Sequence, residues 1–241
     1  KKGLQMSEIL IYQNENGNIN FVDIQTLRRD YPETFSFLDT YKSRLEGRDI
    51  KPEPDTENEW YRFGRHQSLD KSDVPAKIVV GVLSQGDKYA IDTNHTFISS
   101  GGTAGYCMIT MPERTPYSIY YIQALLNSKY SEWFASLYGE VFRGGFIARG
   151  TKVLKKLPIR KIDFEKIDEK TLHDDIALLQ QELIQLQESI DNTQNNNRRL
   201  FPLQRQFSMK KREMDLLLKR LYNLGEEDSL IPKINESYGA D

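Results

Sequence analysis

Apolar residues in the last third of the chain recur at alternating intervals of four and three. Leu172, Ile176, Leu179, Leu183, Leu186 and Ile190 form one such seam, the pattern of a coiled-coil helix. The polar run 191–197 (DNTQNNN) interrupts it. A second seam follows through Leu200, Leu203, Phe207, Met214, Leu217, Leu221 and Leu224, with Lys210 at its one polar position. Pro202 fits the first turn of this second helix and would cost a continuous rod roughly 3 kcal/mol. The pattern predicts an antiparallel helical hairpin whose apolar stripe needs a partner helix or the rest of the molecule.

Earlier in the chain the periods are shorter. Residues 8–13 alternate apolar and polar, 14–18 (NENGN) turn, and 19–22 resume the alternation, which predicts a hairpin. Pro32 opens a helical pattern with Phe35, Leu38, Tyr41 and Leu45 on one side. Gly47 and the polar run 49–58, with Pro52 and Pro54, end it in a loop. Residues 75–83 (PAKIVVGVL) read as a buried strand, and 88–91 as its antiparallel partner after a turn at Gly86. Residues 96–98 and 106–111 read as two more short strands around the glycine-rich 99–105. A helix then begins near Pro116, with Ile119, Ile122 and Leu126 on one face, and a second covers 130–138. Strands mixed with a few helices, without regular βαβ alternation, predict an α+β fold. The expected organisation is a mostly antiparallel sheet domain over 1–163, a helical hairpin over 164–228 and a tail over 229–241.

Composition narrows the setting. The 241 residues are 38% hydrophobic and 28% charged, with mean hydropathy −0.62 and formal charge −2. That allows one large domain with an appendage. No apolar run reaches membrane-spanning length, and residues 1–10 do not form a signal peptide. Cys107 is the single cysteine, so neither an intrachain disulfide nor a cysteine zinc cluster can form. The expectation is a cytoplasmic protein without a membrane partner. Because it starts at Lys1 rather than methionine, the chain is expected to be part of something longer.

Charge singles out one stretch. Residues 141–161 (VFRGGFIARGTKVLKKLPIRK) contain seven cations and no acid, in a chain that is slightly anionic. Gly144, Gly145 and Gly150 break the run into turns that hold Arg143 and Arg149 on loops and allow close approach of the backbone. Such a loop suits a polyanion, nucleic acid above all. Its bland alternative is a solvated basic hairpin. A second cluster, Arg62, Arg65, His66 and Gln67, follows Trp60-Tyr61. Arg and Gln side chains have the shape for bidentate contacts to guanine and adenine edges. Here the alternative is pairing of the arginines with the acidic residues at 53–59. Lys152, Lys155 and Lys156 suit phosphates, which position a protein without specifying sequence. The basic residues of the second helix, among them Arg198, Arg205 and Arg212, read as a solvated flank.

Catalytic patterns are missing from the sequence. There is no glycine loop ending in Gly-Lys-Ser/Thr, no HExxH, no Asn-Pro-Pro-aromatic segment and no dinucleotide fingerprint. His66, His95 and His173 are far apart. Pro54-Asp55 has no acidic-x-Lys triplet after it, and Cys107 sits in an apolar strand. By this reading the chain is a binding module, with no catalytic residues, metal ligands or cofactor of its own.

Six segments lie in an order seen in one family. They are residues 31–49 (YPETFSFLDTYKSRLEGRD), 60–68 (WYRFGRHQS), 75–84 (PAKIVVGVLS), 88–92 (KYAID), 122–134 (IQALLNSKYSEWF) and 154–159 (LKKLPI). In that order they resemble the TaqI-like C-terminal specificity domain of adenine-specific DNA methyltransferases, and most closely that of the fused restriction–methylation enzymes of type IIG. The segment 211–230 is similar to the family's closing helix, although Asn223 stands where glycine is usual. The resemblance implies a domain that grips double-stranded DNA and selects a short sequence. It presents that sequence to an N-terminal methyltransferase domain, absent here, which flips an adenine and methylates it with S-adenosylmethionine. A parent that also cuts DNA would need magnesium. The family pattern places Arg65 in a DNA-facing loop. It also implies that the helical hairpin is a spacer or docking arm, as in type I specificity subunits. The competing expectation is an assembly module that acts through that hairpin.

Overall fold

The computed structural model describes residues 12–15, 18–51, 53, 57–64, 74–84, 89–94, 96, 98, 105–193 and 197–225. The chain divides into two compact units, residues 1–73 with 95–100, and residues 74–94 with 101–241.

In the first unit, β1 (Tyr12–Glu15) and β2 (Asn18–Phe21) pair antiparallel with Glu15 opposite Asn18. The strands reach further into 14–18 than the polar run suggested, and the Asn16-Gly17 dipeptide lies outside the described residues. Helix α1 (Ile24–Asp30) is not signalled by periodicity, because seven residues bury only Ile24 and Leu27. Its start is set by Asp23, whose carboxylate accepts the Gln25 and Thr26 N–H groups at 2.9 and 3.1 Å. Helix α2 (Pro32–Thr40) begins at Pro32 as expected, but breaks at Tyr41 before α3 (Lys42–Glu46). Their Phe35, Leu38 and Leu45 pack on a core of Val22, Ile24, Leu27, Trp60 and Tyr61.

The second unit is built on two small antiparallel sheets. Strand β3 (Lys77–Gly81) lies between β5 (Tyr89–Asp92) and β6 (Tyr106–Thr110). The single strand read over 75–83 is divided at Val82. Beyond it β4 (Leu83–Ser84) joins a second sheet with β8 (Phe146–Ala148) and β7 (Val141–Phe142). Val82 serves both sheets: its N–H donates to the Gly105 carbonyl at 2.9 Å, and its carbonyl accepts the Arg149 N–H at 2.6 Å. The strand expected at 96–98 is not formed at Thr96 or Ile98, while Phe97 lies outside the described residues.

Helices α4 (Ile119–Leu126) and α5 (Lys129–Tyr138) start at Ser118 and Ser128, whose hydroxyls accept backbone N–H groups. Ile78 and Val80 of β3 are fully buried against Leu126 and Leu157. The short α6 (Thr151–Leu154) leads to α7 (Ile167–Thr193) and α8 (Asn197–Leu221), the expected helix pair. Pro202 is the sixth residue of α8 rather than in its first turn, because the helix starts earlier, at Asn197. An exposed proline this near the end removes one backbone bond. At the far end Asn223 adopts φ 52° and the Leu224 N–H reaches the Lys219 carbonyl at 3.0 Å. Asparagine thus takes the left-handed cap conformation that glycine usually supplies at helix ends.

The predicted seams meet, but α7 also has a second buried stripe. Ile176, Leu179 and Leu183 share one core with Met214 and Leu218 of α8 and with Tyr121 and Leu125 of α4. On the α4 side, the buried His173 accepts the Ser118 N–H on Nε2 at 3.1 Å and so donates from Nδ1 to Asp174 at 2.8 Å. The Gln180 amide donates to Gln123 Oε1 at 3.0 Å. The hairpin is therefore packed along α4 rather than projecting free. Among the described residues no helix is long and apolar enough to cross a membrane.

Candidate nucleic-acid interface

The basic stretch folds into the β7–β8 hairpin, the α6 turn and the segment leading to α7. Val141 lies opposite Ile147 and Phe142 opposite Phe146, with Arg143, Gly144 and Gly145 between the strands. Gly144 and Gly145 have φ of 81° and 73°, the left-handed region that the expected tight turn requires. Gly150 does something else: at φ −64° it sits at the N-cap position of α6.

The hairpin's base is fixed by three contacts. Ile147 is buried against Ala135 and Val153. Gly139, which ends α5, has no room for a side chain. A Cβ there would lie 2.7 Å from the Ala135 and Ala148 carbonyl oxygens and from Ile147 Cγ2. Replacement of Gly139 by alanine is expected to lower stability by about 1–3 kcal/mol, the usual cost of overpacking, as read by thermal unfolding. The third contact is Arg149. It has no exposed surface, and its guanidinium donates to Glu132 of α5, to the carbonyl and hydroxyl of Ser84 in β4, and to the Ile147 carbonyl. Burial pushes the neighbouring Tyr89 phenol up to about 12, with Arg149 opposing and Glu132 adding to the rise.

Five of the seven cations of this stretch therefore fall into two groups. Arg149 is internal and cannot reach a ligand; it ties α5, β4 and β8 together. Arg143, Lys152, Lys155 and Lys156 are exposed, and none pairs with a carboxylate among the described residues. Lys156 lies 5.0 Å from the centroid of the Tyr138 ring, which stacks on Phe134 at 4.5 Å. Phe142 and Phe146 at the hairpin tip remain 44% and 40% exposed. The charge pattern pointed to the cations, but it did not distinguish these aromatic residues from core.

In the first unit, Arg62 is largely buried and pairs with Glu59 at 2.5 Å, the alternative that its acidic neighbours raised. Arg65, His66 and Gln67 lie outside the described residues. The loop that leads to them is held from behind by Arg48, a residue that sequence reading did not single out. Its guanidinium donates to the Arg62 and Trp60 carbonyls at 2.7 and 3.3 Å. The Gly64 carbonyl accepts the Lys51 N–H at 2.7 Å.

The fully buried Lys77 pairs with Asp92 at 2.6 Å across β3 and β5. Burial pushes the Cys107 thiol up, opposed by a backbone hydrogen bond from Thr151. No group of three or more His, Cys, Asp and Glu that could hold a metal occurs among the described residues.

Two comparisons bear on this surface. The family model described as the TaqI-like C-terminal specificity domain matches residues 38–159. The type II restriction enzyme and methyltransferase RM.Eco57I of Escherichia coli is 48% identical over 229 residues, covering 94% of this chain. The chain spans only 23% of that relative's length.

Proposed function

Since the chain belongs to the family of TaqI-like C-terminal specificity domains, we propose that it reads a short sequence in double-stranded DNA for a larger restriction–modification enzyme. The observation that carries this reading is the sorting of cations at the β7–β8 hairpin. One buried arginine braces the base, while Arg143, Lys152, Lys155 and Lys156 are left exposed without carboxylate partners. Exposed cations on a rigid support suit phosphates, which fix orientation, and Arg143 at the tip suits a base edge. The parent would supply an N-terminal domain that methylates adenine with S-adenosylmethionine, plus magnesium if it also cleaves. These 241 residues would perform no bond-making step themselves.

The Arg65–Gln67 cluster belongs to the same proposal, with Arg65 as a base-reading side chain. The test uses a duplex selected by this chain from a randomised pool. Arg65→Ala is expected to cost roughly 1–3 kcal/mol on that duplex and much less on a random one. Equal losses on both would reduce Arg65 to a phosphate contact.

A second reading has support from α8. Phe201, Met209 and Leu216 are 71%, 61% and 68% exposed, with the exposed Arg198, Arg205 and Arg212 on the same helix. Large exposed apolar side chains with arginine are typical of protein interfaces. On this reading the helix pair docks the domain onto the rest of its parent. It complements DNA reading rather than replacing it.

A further inference from the structure

The sheet β4-β8-β7 departs from the usual rule for a small antiparallel sheet. One face is buried at Ile147 and Ser84, though not at Val141 opposite Ile147, so the other face would ordinarily alternate to polar residues. Instead Phe142 and Phe146 stand directly opposite each other in register, and residues in register share a face. That face is not the one Ile147 packs, because successive residues alternate sides. Two half-exposed phenylalanines thus form a cross-strand pair beside the Arg143 turn. A cross-strand aromatic pair adds only about 0.2–1 kcal/mol to a sheet, and the hairpin is already held at its base by Ile147, Gly139 and Arg149.

Resting on the DNA-reading function proposed above, we infer that this pair is a specificity element that contacts the C5 methyl groups of thymine in the major groove. A two-stranded ribbon fits that groove, and its outward face is presented to the base edges. Thymine alone among the four bases carries an apolar group there, and phenylalanine is one of the side chains that meet it. A protein occupant is the less fitting alternative, because residues 141–161 hold seven cations and no acid. Apolar rings set among cations match a surface that mixes phosphates with methyl groups. A wedge between base pairs is also less fitting, because the rings lie on the ribbon's face and not beyond its turn.

The experiment uses the full chain and a duplex that it has selected from a randomised pool. Each thymine is replaced in turn by deoxyuridine, which removes only the methyl group. At one or two positions affinity is expected to fall about threefold to fivefold, the worth of one buried methyl. The variant carrying Phe142→Ala and Phe146→Ala should bind the thymine and uracil duplexes equally. Phe146→Leu, which keeps an apolar surface, should retain part of the difference. A selected site without thymine would overturn the inference, and so would binding indifferent to every replacement. A rise in 2-aminopurine fluorescence without methyl sensitivity would overturn it too, in favour of a wedge. In all three cases a preference for the selected duplex over random DNA would leave the DNA-reading function standing. Loss of that preference in the unaltered chain would remove the function itself.

Discussion

Replacing Arg149 by methionine is expected to lower the stability of the second unit by about 3 kcal/mol, among the largest effects of any single substitution in this chain. Arg149 is fully enclosed and Glu132 keeps only 21% of its side-chain surface exposed. Removing the guanidinium strands a carboxylate with little water around it. The Ser84 and Ile147 carbonyls also lose a donor. The partial exposure of Glu132 places the cost at the low end of the range for broken buried pairs. For a chain of this length it corresponds to a fall in Tm of roughly 6–12 °C. Adding Glu132→Leu should restore more than half of the loss, because the buried charge would then be gone from both sides. If Arg149→Met unfolds at the same temperature as the unaltered chain, Arg149 is not the brace of the hairpin.

The second large effect concerns binding. A variant in which Arg143, Lys152, Lys155 and Lys156 are all glutamine should keep its stability within about 0.5 kcal/mol, since all four side chains are exposed. Its affinity for duplex DNA should nevertheless collapse. Three phosphate contacts, by Lys152, Lys155 and Lys156, give a log–log salt slope of about −2.7, which amounts to roughly 500-fold in affinity at 0.1 M salt, and loss of the Arg143 base contact adds about 1–3 kcal/mol. The variant should lose most of that slope along with the affinity. Weak binding with an unchanged slope would mean that other cations meet the backbone, and the basic face of α8 would be the next to test. The contrast with Arg149 matters: one arginine should move the melting temperature, and the other four cations should move the salt dependence.

These two predictions show what was legible in the sequence. The basic run at 141–161 stood out because charge is a local property of composition. The separation of Arg149 from Arg143 was not legible. It depends on Glu132, 17 residues away, and on Ser84, 65 residues away, which only the fold brings together. Long periodic segments were the easiest to read. The seams through Ile176 and Met214 became α7 and α8 because a stripe repeated over about five turns or more leaves few alternatives. Short elements were harder. Helix α1 is announced only by the Asp23 cap, and the break at Val82 comes from backbone bonds to two different sheets. Phe142 and Phe146 lie inside the basic run without a signal of their own in the sequence, and only their register on the outer face of β7 and β8 marks them as available. Arg48 reads as another surface cation until its bonds to the Arg62 and Trp60 carbonyls are seen.

The central claim is that this chain selects sequence in duplex DNA without any catalytic partner present. The most direct measurement is competitive binding of the unaltered 241-residue chain to its selected duplex against a random duplex of equal length in 0.1 M salt. The account predicts a preference of at least about a thousandfold for the selected duplex. Equal affinity for the two duplexes, or no binding to either, would contradict it.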